Sequence, residues 1–295
     1  MPNFPTEAAP NSQGPVKISV VIPTCQRNDA LAQCLDRLAP GAQTLDAAQY
    51  EVIVSDDGST ATAQAMVREK YPWARWTAGP KRGPAANRNW GAAQARGEFL
   101  AFTDDDCLPA PGWLEAYAQA LAPGAEVYEG ATHAPGPFRW PFVSAPVNLE
   151  GGSLWSCNMM VARRVFQELG GFDAGFPHAA DEDTDFHRRV RAAGLEPRFV
   201  PDARILHPLV RRLWGRKSAR LWESKVRLAY KADPTRRPFT RGEMVRLALN
   251  TRARQLKRSP FHLDWILGAL GLVVELIWIA RHARRWDRKH RADLS

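Results

Sequence analysis

The sequence predicts an α/β protein in which a doubly wound sheet, flanked by helices, is followed by a basic α-helical extension. Apolar runs of strand length alternate with helically spaced apolar residues across residues 17–103. Three of these runs end in polar, chemically capable residues, which a parallel sheet brings to one edge where ligands bind. From residue 208 the pattern changes to basic amphipathic helices. These three observations define the fold prediction.

The first two strand–helix units follow from the spacing of apolar residues. Residues 17–22 form a continuous apolar run, which is typical of a central parallel strand buried on both faces. Residues 28–38 then carry apolar side chains at helical spacing. A second strand is predicted at 51–55, where it ends in Asp56-Asp57-Gly58-Ser59, and a second helix at 61–70.

The third strong strand, residues 98–103, runs directly into three consecutive carboxylates, Asp104–Asp106, after a helix predicted at 84–95. Clustered carboxylates repel one another, and a hard divalent cation such as Mg²⁺ or Mn²⁺ relieves this repulsion while bridging to substrate phosphates. Alternatively, acidic turn residues cap the helix that begins near Gly112. Three carboxylates in succession at a strand end favour the metal site.

Beyond residue 112 the alternation weakens. Strands predicted at 127–132 and 154–161 enclose a loop, 134–152, whose length is typical of a functional or disordered segment. Acidic residues at 181–185 open a helix at 186–193, either because the helix dipole favours them there or because one of them is a general base. His207 closes a short strand and is either structural or, near an acidic cluster, a metal ligand.

Two further motifs also have two interpretations. Asp56 and Asp57 form either an ordinary turn with a helix cap or a carboxylate contact to a nucleobase or ribose. Arg88 and Asn89 lie either on a solvated helix face or at the ligand edge, where the helix N-terminus favours phosphate. Neither the GxGxxG dinucleotide fingerprint nor the P-loop motif is present.

Six motifs in a fixed order resemble the family 2 glycosyltransferases, which are inverting enzymes with the GT-A fold. They are Val20-Val-Ile-Pro-Thr24, Ser55-Asp-Asp-Gly-Ser59, Gly83-Pro-Ala-Ala-Asn-Arg-Asn89, Phe102-Thr-Asp-Asp-Asp106, Gly170-Gly-Phe-Asp173 and Glu182-Asp-Thr-Asp185. The resemblance covers residues 17–207. It implies a Rossmann-like mixed or parallel sheet and the transfer of a sugar from a nucleotide-sugar to an acceptor hydroxyl.

The resemblance also implies roles for individual residues. Asp183 matches the catalytic base, with Glu182 as the alternative. The metal, Mn²⁺ or Mg²⁺, would be held by two of the three carboxylates Asp104, Asp105 and Asp106, with His207 as a third ligand. The residues expected to bind the nucleotide-sugar are Pro23, Thr24, Arg27, Asp56, Asp57, Gly83, Arg88, Asn89, Asp104 and Asp105.

The C-terminal third is strongly basic, because residues 204–295 hold 23 of the 40 Lys and Arg residues but only 7 of the 31 Asp and Glu residues. Helices are expected at about 210–230, 241–258 and 261–280, followed by a basic tail. In the third helix Asp264, Gly268, Gly271 and Glu275 share one stripe and the remainder is apolar. Such a helix packs in a core, lies in a membrane interface or inserts as a short span. We expect attachment to an anionic membrane surface and a lipid-linked or cell-envelope glycan as acceptor.

The predicted organisation is a disordered lead-in at 1–15, a glycosyltransferase domain at 16–207 and a basic helical region at 208–295. The four cysteines are scattered without CxxC spacing, which argues against a zinc site or a disulfide framework and indicates a cytoplasmic protein. With the basic helical region, we expect it to be peripheral at the inner face of the cell membrane. A nucleotidyltransferase is the alternative enzyme. A nucleic-acid-binding protein would explain the basic charge but leaves the carboxylates without a role, so nucleic acid is not expected as a partner.

Overall fold

The computed structural model describes residues 16–136, 143–211, 214–257 and 264–294. The first half alternates strands and helices as the apolar spacing predicts. Its elements are β1 (Ile18–Thr24), α1 (Asn28–Leu38), β2 (Tyr50–Asp56), α2 (Gln64–Lys70), β3 (Arg75–Ala78), α3 (Pro84–Ala93) and β4 (Phe99–Thr103). The predicted lead-in, residues 1–15, lies outside the described residues.

The second half contains shorter strands and then helices alone. Its strands are β5 (Leu108–Pro109), β6 (Val127–His133), β7 (Val143–Ser144), β8 (Asn158–Ala162), β9 (Arg198–Leu206) and β10 (Val210–Arg211). Its helices are α4 (Trp113–Ala120), α5 (Arg163–Glu168), α6 (Glu182–Ala192), α7 (Arg216–Arg220), α8 (Trp222–Ala232), α9 (Arg241–Lys257) and α10 (Asp264–Leu294).

Eight of the strands form one mixed sheet in the order β3-β2-β1-β4-β8-β6-β9-β5. The first four are parallel to one another, and β8 joins antiparallel to both β4 and β6. β1, β2 and β4 are buried along their whole length, as expected for central parallel strands. Their carboxyl ends therefore bring Thr24, Asp56 and Thr103 to one edge, which confirms the predicted fold class. A separate ribbon pairs β7 with β10.

Several elements differ from the prediction. The helix expected at about 210–230 is divided into β10, α7 and α8. The segment at 77–83 was expected to be a loop, but β3 occupies Arg75–Ala78 as an edge strand. Its four residues are half-buried or exposed, so they give no apolar run to recognise. The expected basic tail after residue 280 is helical, because α10 continues to Leu294 and buries Ala283 and Trp286 against its neighbours.

Most of the buried apolar residues in the described part of the chain belong to two clusters. The first lies on both faces of the large sheet and contains residues between Ile18 and Ile205. The second lies among the C-terminal helices, where Trp222 and Tyr230 of α8 pack against Ile279 and Trp286 of α10. The first cluster ends at Ile205 and the second begins at Ala219.

Salt bridges connect the two parts. Asp173 accepts hydrogen bonds from Arg227 Nε and Lys231 Nζ, both at 2.9 Å, and Lys231 also lies 2.9 Å from Asp185 of α6. Lys225 approaches Asp181 to 3.3 Å. We call Lys225, Arg227 and Lys231 the α8 cations. These pairs hold α8 beside the N-terminal end of α6.

The stripe of small and polar residues on α10 faces the protein. Gly268 is buried, and Gly271 leaves no room for a Cβ against the carbonyl oxygen of Trp214. Glu275 is fully buried and accepts hydrogen bonds from Trp222 Nε1 at 2.9 Å and Arg252 Nη2 at 2.6 Å. Across the described ranges, no helix combines the length and the hydropathy that a membrane span requires.

Candidate active site

The carboxyl ends of β1, β2 and β4 open into a cavity of about 520 Å³, which we call the first cavity. The loop before α3 and the triple-Asp turn complete its wall. Most of the residues expected to bind the nucleotide-sugar line it: Pro23, Thr24, Arg27, Asp57, Gly83, Arg88, Asp104 and Asp105. Cys25, Lys81, Pro84, Asn87 and Ala179 also contribute. The sheet topology thus brings together groups that are up to 156 residues apart in the chain.

The three carboxylates of the triple-Asp turn have different partners. Asp104 Oδ1 accepts a 2.6 Å hydrogen bond from Arg88 Nη2. Asp105 is 1% exposed, pairs with Arg27 and accepts a 2.7 Å hydrogen bond from Thr24 Oγ1. Asp106 Oδ2 accepts a 2.9 Å hydrogen bond from Arg27 Nη1. Only Asp104 and Asp106 therefore keep an oxygen without such partners, while both oxygens of Asp105 are occupied.

Burial dominates the ionisation of Asp105. Loss of solvent raises the pKa of its carboxyl to about 6, although the hydrogen bonds and charge of Arg27 and the Thr24 hydroxyl act in the opposite direction. The hydrogen bond between Thr24 and Asp105 links the end of β1 to the turn after β4. Its arrangement is that of a structural link across the floor of the first cavity.

Asp106 and His207 face each other where β4 and β9 end. His207 Nδ1 lies 2.9 Å from the carbonyl oxygen of Pro208, so this nitrogen carries a proton and donates it. Nε2 then points toward Asp106 Oδ1 at 3.9 Å. That oxygen is buried and has no hydrogen-bond partner among the described residues. An orphaned carboxylate oxygen facing an imidazole nitrogen is a donor set that fits a divalent cation.

Cys107 lies close to the same two groups. Its thiol is fully buried, and burial raises its pKa well above the ordinary value, with further contributions from Cys157 and nearby aspartates. A protonated thiol is a poor ligand for Mg²⁺ or Mn²⁺, which prefer oxygen and nitrogen donors. Asp106 and His207 are therefore the two members of this cluster whose atoms suit a hard divalent cation, and Asp104 lines the second cavity together with His207.

Arg88 connects the triple-Asp turn to the start of α6. It is 4% exposed, and its Nη1 lies 3.0 Å from Glu182 Oε1 while Nη2 holds Asp104. Glu182 is 3% exposed. Burial raises the pKa of Glu182 to about 7 despite the opposing charge of Arg88, and Asp183 raises it further. Glu182 is therefore a positioned partner of Arg88 within the protein interior.

Asp183 lines a second cavity, of about 350 Å³, that adjoins the first. Its Oδ1 accepts a 2.7 Å hydrogen bond from the backbone N–H of Thr184. Burial raises the pKa of Asp183, and this effect is opposed by that hydrogen bond and by Arg88. Arg88 and Asp104 line both cavities and form the wall between them. A carboxylate with a raised pKa at the edge of a cavity has the properties of a general base.

The turn before α6 sets the direction of these carboxylates. Asp181 adopts a left-handed conformation with φ 69°, which few residues other than glycine adopt without strain. It reverses the chain so that Glu182 pairs with Arg88, and both Glu182 and Asp183 line the second cavity. Lys225 of the α8 cations holds the side chain of Asp181.

Three of the expected site residues line neither cavity: Asp106, whose contacts are described above, and Asp56 and Asn89. The Asp56 carboxylate is 2% exposed and accepts hydrogen bonds from the N–H groups of Gly58 and Ala63 and from Trp76 Nε1. Asn89 Nδ2 donates a 2.7 Å hydrogen bond to the carbonyl oxygen of Phe172, and Asn89 Oδ1 accepts a 2.9 Å hydrogen bond from the N–H of Phe172. Asp56 and Asn89 instead brace loops next to the first cavity. Asp57 accepts from the N–H groups of Lys81 and Gly83 at its rim.

Sequence reasoning identified little of the second cavity. Trp155, Ser156 and Cys157, which follow the long loop of the middle region, line it together with residues 144–146 of that loop and Val210 of β10. The unusual length of the loop at 134–152 was the one signal, and its residues 137–142 lie outside the described part of the chain. The β7–β10 ribbon brings these distant segments over Asp183.

Comparison with known proteins identifies the family. The family model described as "Glycosyl transferase family 2" matches residues 19–169. The chain belongs to glycosyl transferase family 2. The matched segment runs from β1 to the end of α5, which includes the triple-Asp turn.

Two curated proteins are similar to part of the chain. O-antigen biosynthesis protein RfbC of Myxococcus xanthus is 29% identical over 228 residues, 66% of this chain and 17% of RfbC. The GalNAc(5)-diNAcBac-PP-undecaprenol beta-1,3-glucosyltransferase of Campylobacter jejuni is 36% identical over 116 residues, 37% of this chain and 35% of that enzyme. The chain therefore spans well under half the length of these two relatives.

A solved structure is similar in fold to most of the chain. The mannosyltransferase PcManGT from Pyrobaculum calidifontis, in complex with GDP-Man and Mn²⁺, superposes with a TM-score of 0.57 at 18% identity. The match covers 95% of this chain and 91% of PcManGT. At this identity the comparison shows a shared GT-A fold.

Proposed function

We propose that this glycosyltransferase moves a sugar from a nucleotide-sugar to an acceptor hydroxyl by a metal-dependent, inverting displacement. The observation that carries the proposal is the shared wall of the two cavities. Arg88 and Asp104 separate a first cavity lined by phosphate- and nucleotide-compatible groups from a second cavity that contains Asp183. Such an arrangement suits a donor and an acceptor that meet at one reacting carbon.

The first cavity would hold the donor. Asp57 would be the carboxylate that contacts a base or ribose, because it lines the first cavity, whereas Asp56 is buried and does not line it. Lys81 and Arg27 supply positive charge beside the N-terminus of α3, where a diphosphate is favoured. PcManGT, whose structure contains GDP-Man, supports a nucleotide-sugar as the donor class.

The divalent cation, Mn²⁺ or Mg²⁺, would be held by Asp106 and His207 together with Asp104. The orphaned Oδ1 of Asp106 and the Nε2 of His207 supply its donor atoms from the protein. When bound, such a cation supplies positive charge that stabilises the leaving nucleoside diphosphate. The Mn²⁺ in the PcManGT complex supports this cofactor class. The sequence-level expectation that Asp105 is a ligand is not retained, since Thr24 and Arg27 occupy its carboxylate.

Asp183 would act as the general base. The acceptor hydroxyl donates its proton to the Asp183 carboxylate while its oxygen forms a bond to the anomeric carbon. The bond to the nucleoside diphosphate breaks in the same step, and the diphosphate leaves with the electron pair. A single displacement inverts the anomeric configuration, and no covalent intermediate with the protein is needed.

The acceptor would be a lipid-linked or cell-envelope glycan. RfbC is named for O-antigen biosynthesis and the Campylobacter enzyme for a PP-undecaprenol substrate, which supports this class. We therefore place the chain in the cytoplasm at the inner face of the cell membrane. Residues 16–207 would form the catalytic unit and 208–295 the basic helical unit, in agreement with the two hydrophobic clusters.

A donor panel tests the proposal. The purified chain is incubated with Mn²⁺, a lipid-linked glycan extract and each of several nucleotide-sugars, and the released nucleoside diphosphate is quantified. We expect release from one class of donor and its loss on chelation of the metal. Release of pyrophosphate in place of a nucleoside diphosphate would identify a nucleotidyltransferase instead. Release that survives chelation would contradict the metal dependence.

A further inference from the structure

The outward face of α10 is unusual for a helix that packs on a protein. The face that contacts α7, α8 and α9 carries Gly268, Gly271 and the buried Glu275. Large apolar side chains therefore lie on the opposite side. In an ordinary amphipathic helix of a globular protein, the apolar stripe faces the core and the polar stripe faces water. The first three turns of α10 have the reverse arrangement.

Four of these outward side chains form one continuous row. Ile266, Leu270, Val273 and Ile277 follow at steps of 4, 3 and 4 residues, so they lie on a single helix face. Their exposed fractions are 63%, 63%, 55% and 48%. Val274 lies beside them and is 49% exposed. A contiguous apolar patch of this kind marks an interaction surface more often than single exposed apolar residues do.

The same row continues as arginines. Arg281, Arg284, Arg288 and Arg291 follow Ile277 at steps of 4, 3, 4 and 3 residues, and each is exposed. The outward face of α10 is thus apolar along its first half and cationic along its second half. We call the eight residues from Ile266 to Arg291 in this row the α10 outer face.

We propose that the α10 outer face is a docking surface for an anionic lipid bilayer, on which the helix lies parallel to the membrane plane. The apolar half would enter the boundary between head groups and acyl chains, and the arginines would contact lipid phosphates. Charge complementarity favours a lipid surface as the partner, because the row places apolar side chains for the acyl region next to arginines for the lipid phosphates. The surface deepens the proposed function by giving access to a lipid-linked acceptor, but binding to lipid does not depend on it.

A second copy of this chain is a less suitable occupant. A two-fold contact across this face uses the same row on both subunits. An antiparallel pairing would place the arginines of each copy on the apolar residues of the other, and a parallel pairing would place arginine against arginine. Both arrangements bury cations without partners, which is costly. A phospholipid surface has no such conflict.

Vesicle flotation of the full chain tests the proposal. We expect binding to phosphatidylcholine vesicles that contain about 30 mol% phosphatidylglycerol and weaker binding to phosphatidylcholine alone. Replacing Arg281, Arg284 and Arg288 together by Gln should weaken binding to the anionic vesicles by about two orders of magnitude. The matched control replaces three exposed cations of the other part of the chain, Arg37, Arg68 and Lys70, by Gln. It removes the same charge and should retain nearly full binding.

The apolar half is tested separately. Replacing Leu270, Val273 and Ile277 by Gln should lower the affinity for vesicles by at least tenfold even at low salt. The three apolar side chains are exposed, and a polar side chain in their place gains no free energy on transfer from water into the bilayer. Unchanged thermal unfolding would confirm that the fold is retained. Equal loss in the control and the Arg281/Arg284/Arg288 variant would overturn the proposal, because net charge alone would then explain binding. A concentration-dependent dimer that the apolar variant dissociates, without vesicle binding, would also overturn it. Donor turnover without vesicles reports separately on the proposed reaction.

Discussion

Arg88 Nη2 and Asp104 Oδ1 lie 2.6 Å apart, and this ion pair forms part of the wall between the two cavities. The other end of the guanidinium reaches Glu182 at 3.0 Å. A single buried cation therefore holds the end of β4 against the start of α6. The distance between the proposed donor phosphates and the proposed base depends on this one side chain.

Replacing Arg88 by Met is expected to destabilise the fold by about 3 kcal/mol, because Glu182 and the largely buried Asp104 lose their cation. Urea unfolding followed by tryptophan fluorescence would measure this. Arg191→Met is the matched control: Arg191 pairs with Glu196 at the surface, where both side chains are more than half exposed. Its effect should stay within about 1 kcal/mol. Equal effects of the two substitutions would contradict the role of the buried pair.

Asp183→Asn is expected to lower kcat for transfer by about 10²- to 10⁴-fold, since Asn cannot accept the proton of the acceptor hydroxyl. The Kd for the nucleoside diphosphate should change little, because Asp183 lines the second cavity and not the first. Steady-state kinetics and calorimetric nucleotide titration would measure the two quantities. Asp202→Asn, on an exposed carboxylate, serves as the control. Unchanged turnover in Asp183→Asn would exclude this residue as the base.

His207→Ala is expected to raise the Mn²⁺ concentration for half-maximal activity by about tenfold to hundredfold, because a nitrogen donor is lost from the proposed metal site. A titration of activity with Mn²⁺ at saturating donor would measure the shift. Cys107→Ala should leave that concentration nearly unchanged, since Mn²⁺ prefers oxygen and nitrogen donors to sulfur. If Cys107→Ala shifts the titration and His207→Ala does not, the ligand assignment is wrong.

Stability should depend on pH through Glu182. Its pKa is about 7 in the folded protein and 4.5 in the unfolded chain, since burial disfavours the charged form. The folded protein therefore binds the extra proton, so this contribution to stability is complete below pH 4.5 and is lost as the pH rises through 7. The free energy of unfolding of the wild type, measured relative to Glu182→Gln, should fall between about pH 5 and pH 8. Parallel pH profiles would contradict the raised pKa.

Periodicity was sufficient for the central sheet, because β1, β2 and β4 are buried on both faces and leave continuous apolar runs. It was insufficient for β3, an edge strand of four partly exposed residues. Periodicity also could not predict which face of α10 packs against the protein. That helix is apolar on most sides, so only its packing shows that the glycine and glutamate stripe faces inward.

The residue types of the candidate site were predictable from the sequence, but their pairing was not. The run Asp104–Asp106 indicates a charged strand end, yet its partners lie on β1, α3 and the segment after β9. Asp56 and Asp57 are neighbours with the same chemistry, and only the fold shows that one is buried as a turn brace while the other reaches the rim. Long-range contacts make these distinctions, and local sequence does not encode them.

The α8 cations also influence the ionisation of the proposed base. Asp173, Asp181 and Asp185 are paired with them near the start of α6, and the charge of Asp181 raises the pKa of Asp183. A chain that ended at residue 207 would keep the family-matched segment and nearly every residue of both cavities. It would nevertheless leave Asp173 and Asp181 without the α8 cations, although Asp185 would keep its pair with Arg189, and like charges nearby disfavour a further ionised carboxylate. Since the charge of Asp181 raises the pKa of Asp183, loss of the Lys225 contact to Asp181 should raise the pKa of the proposed base further, so we expect α8 to influence the pH at which this base is ionised.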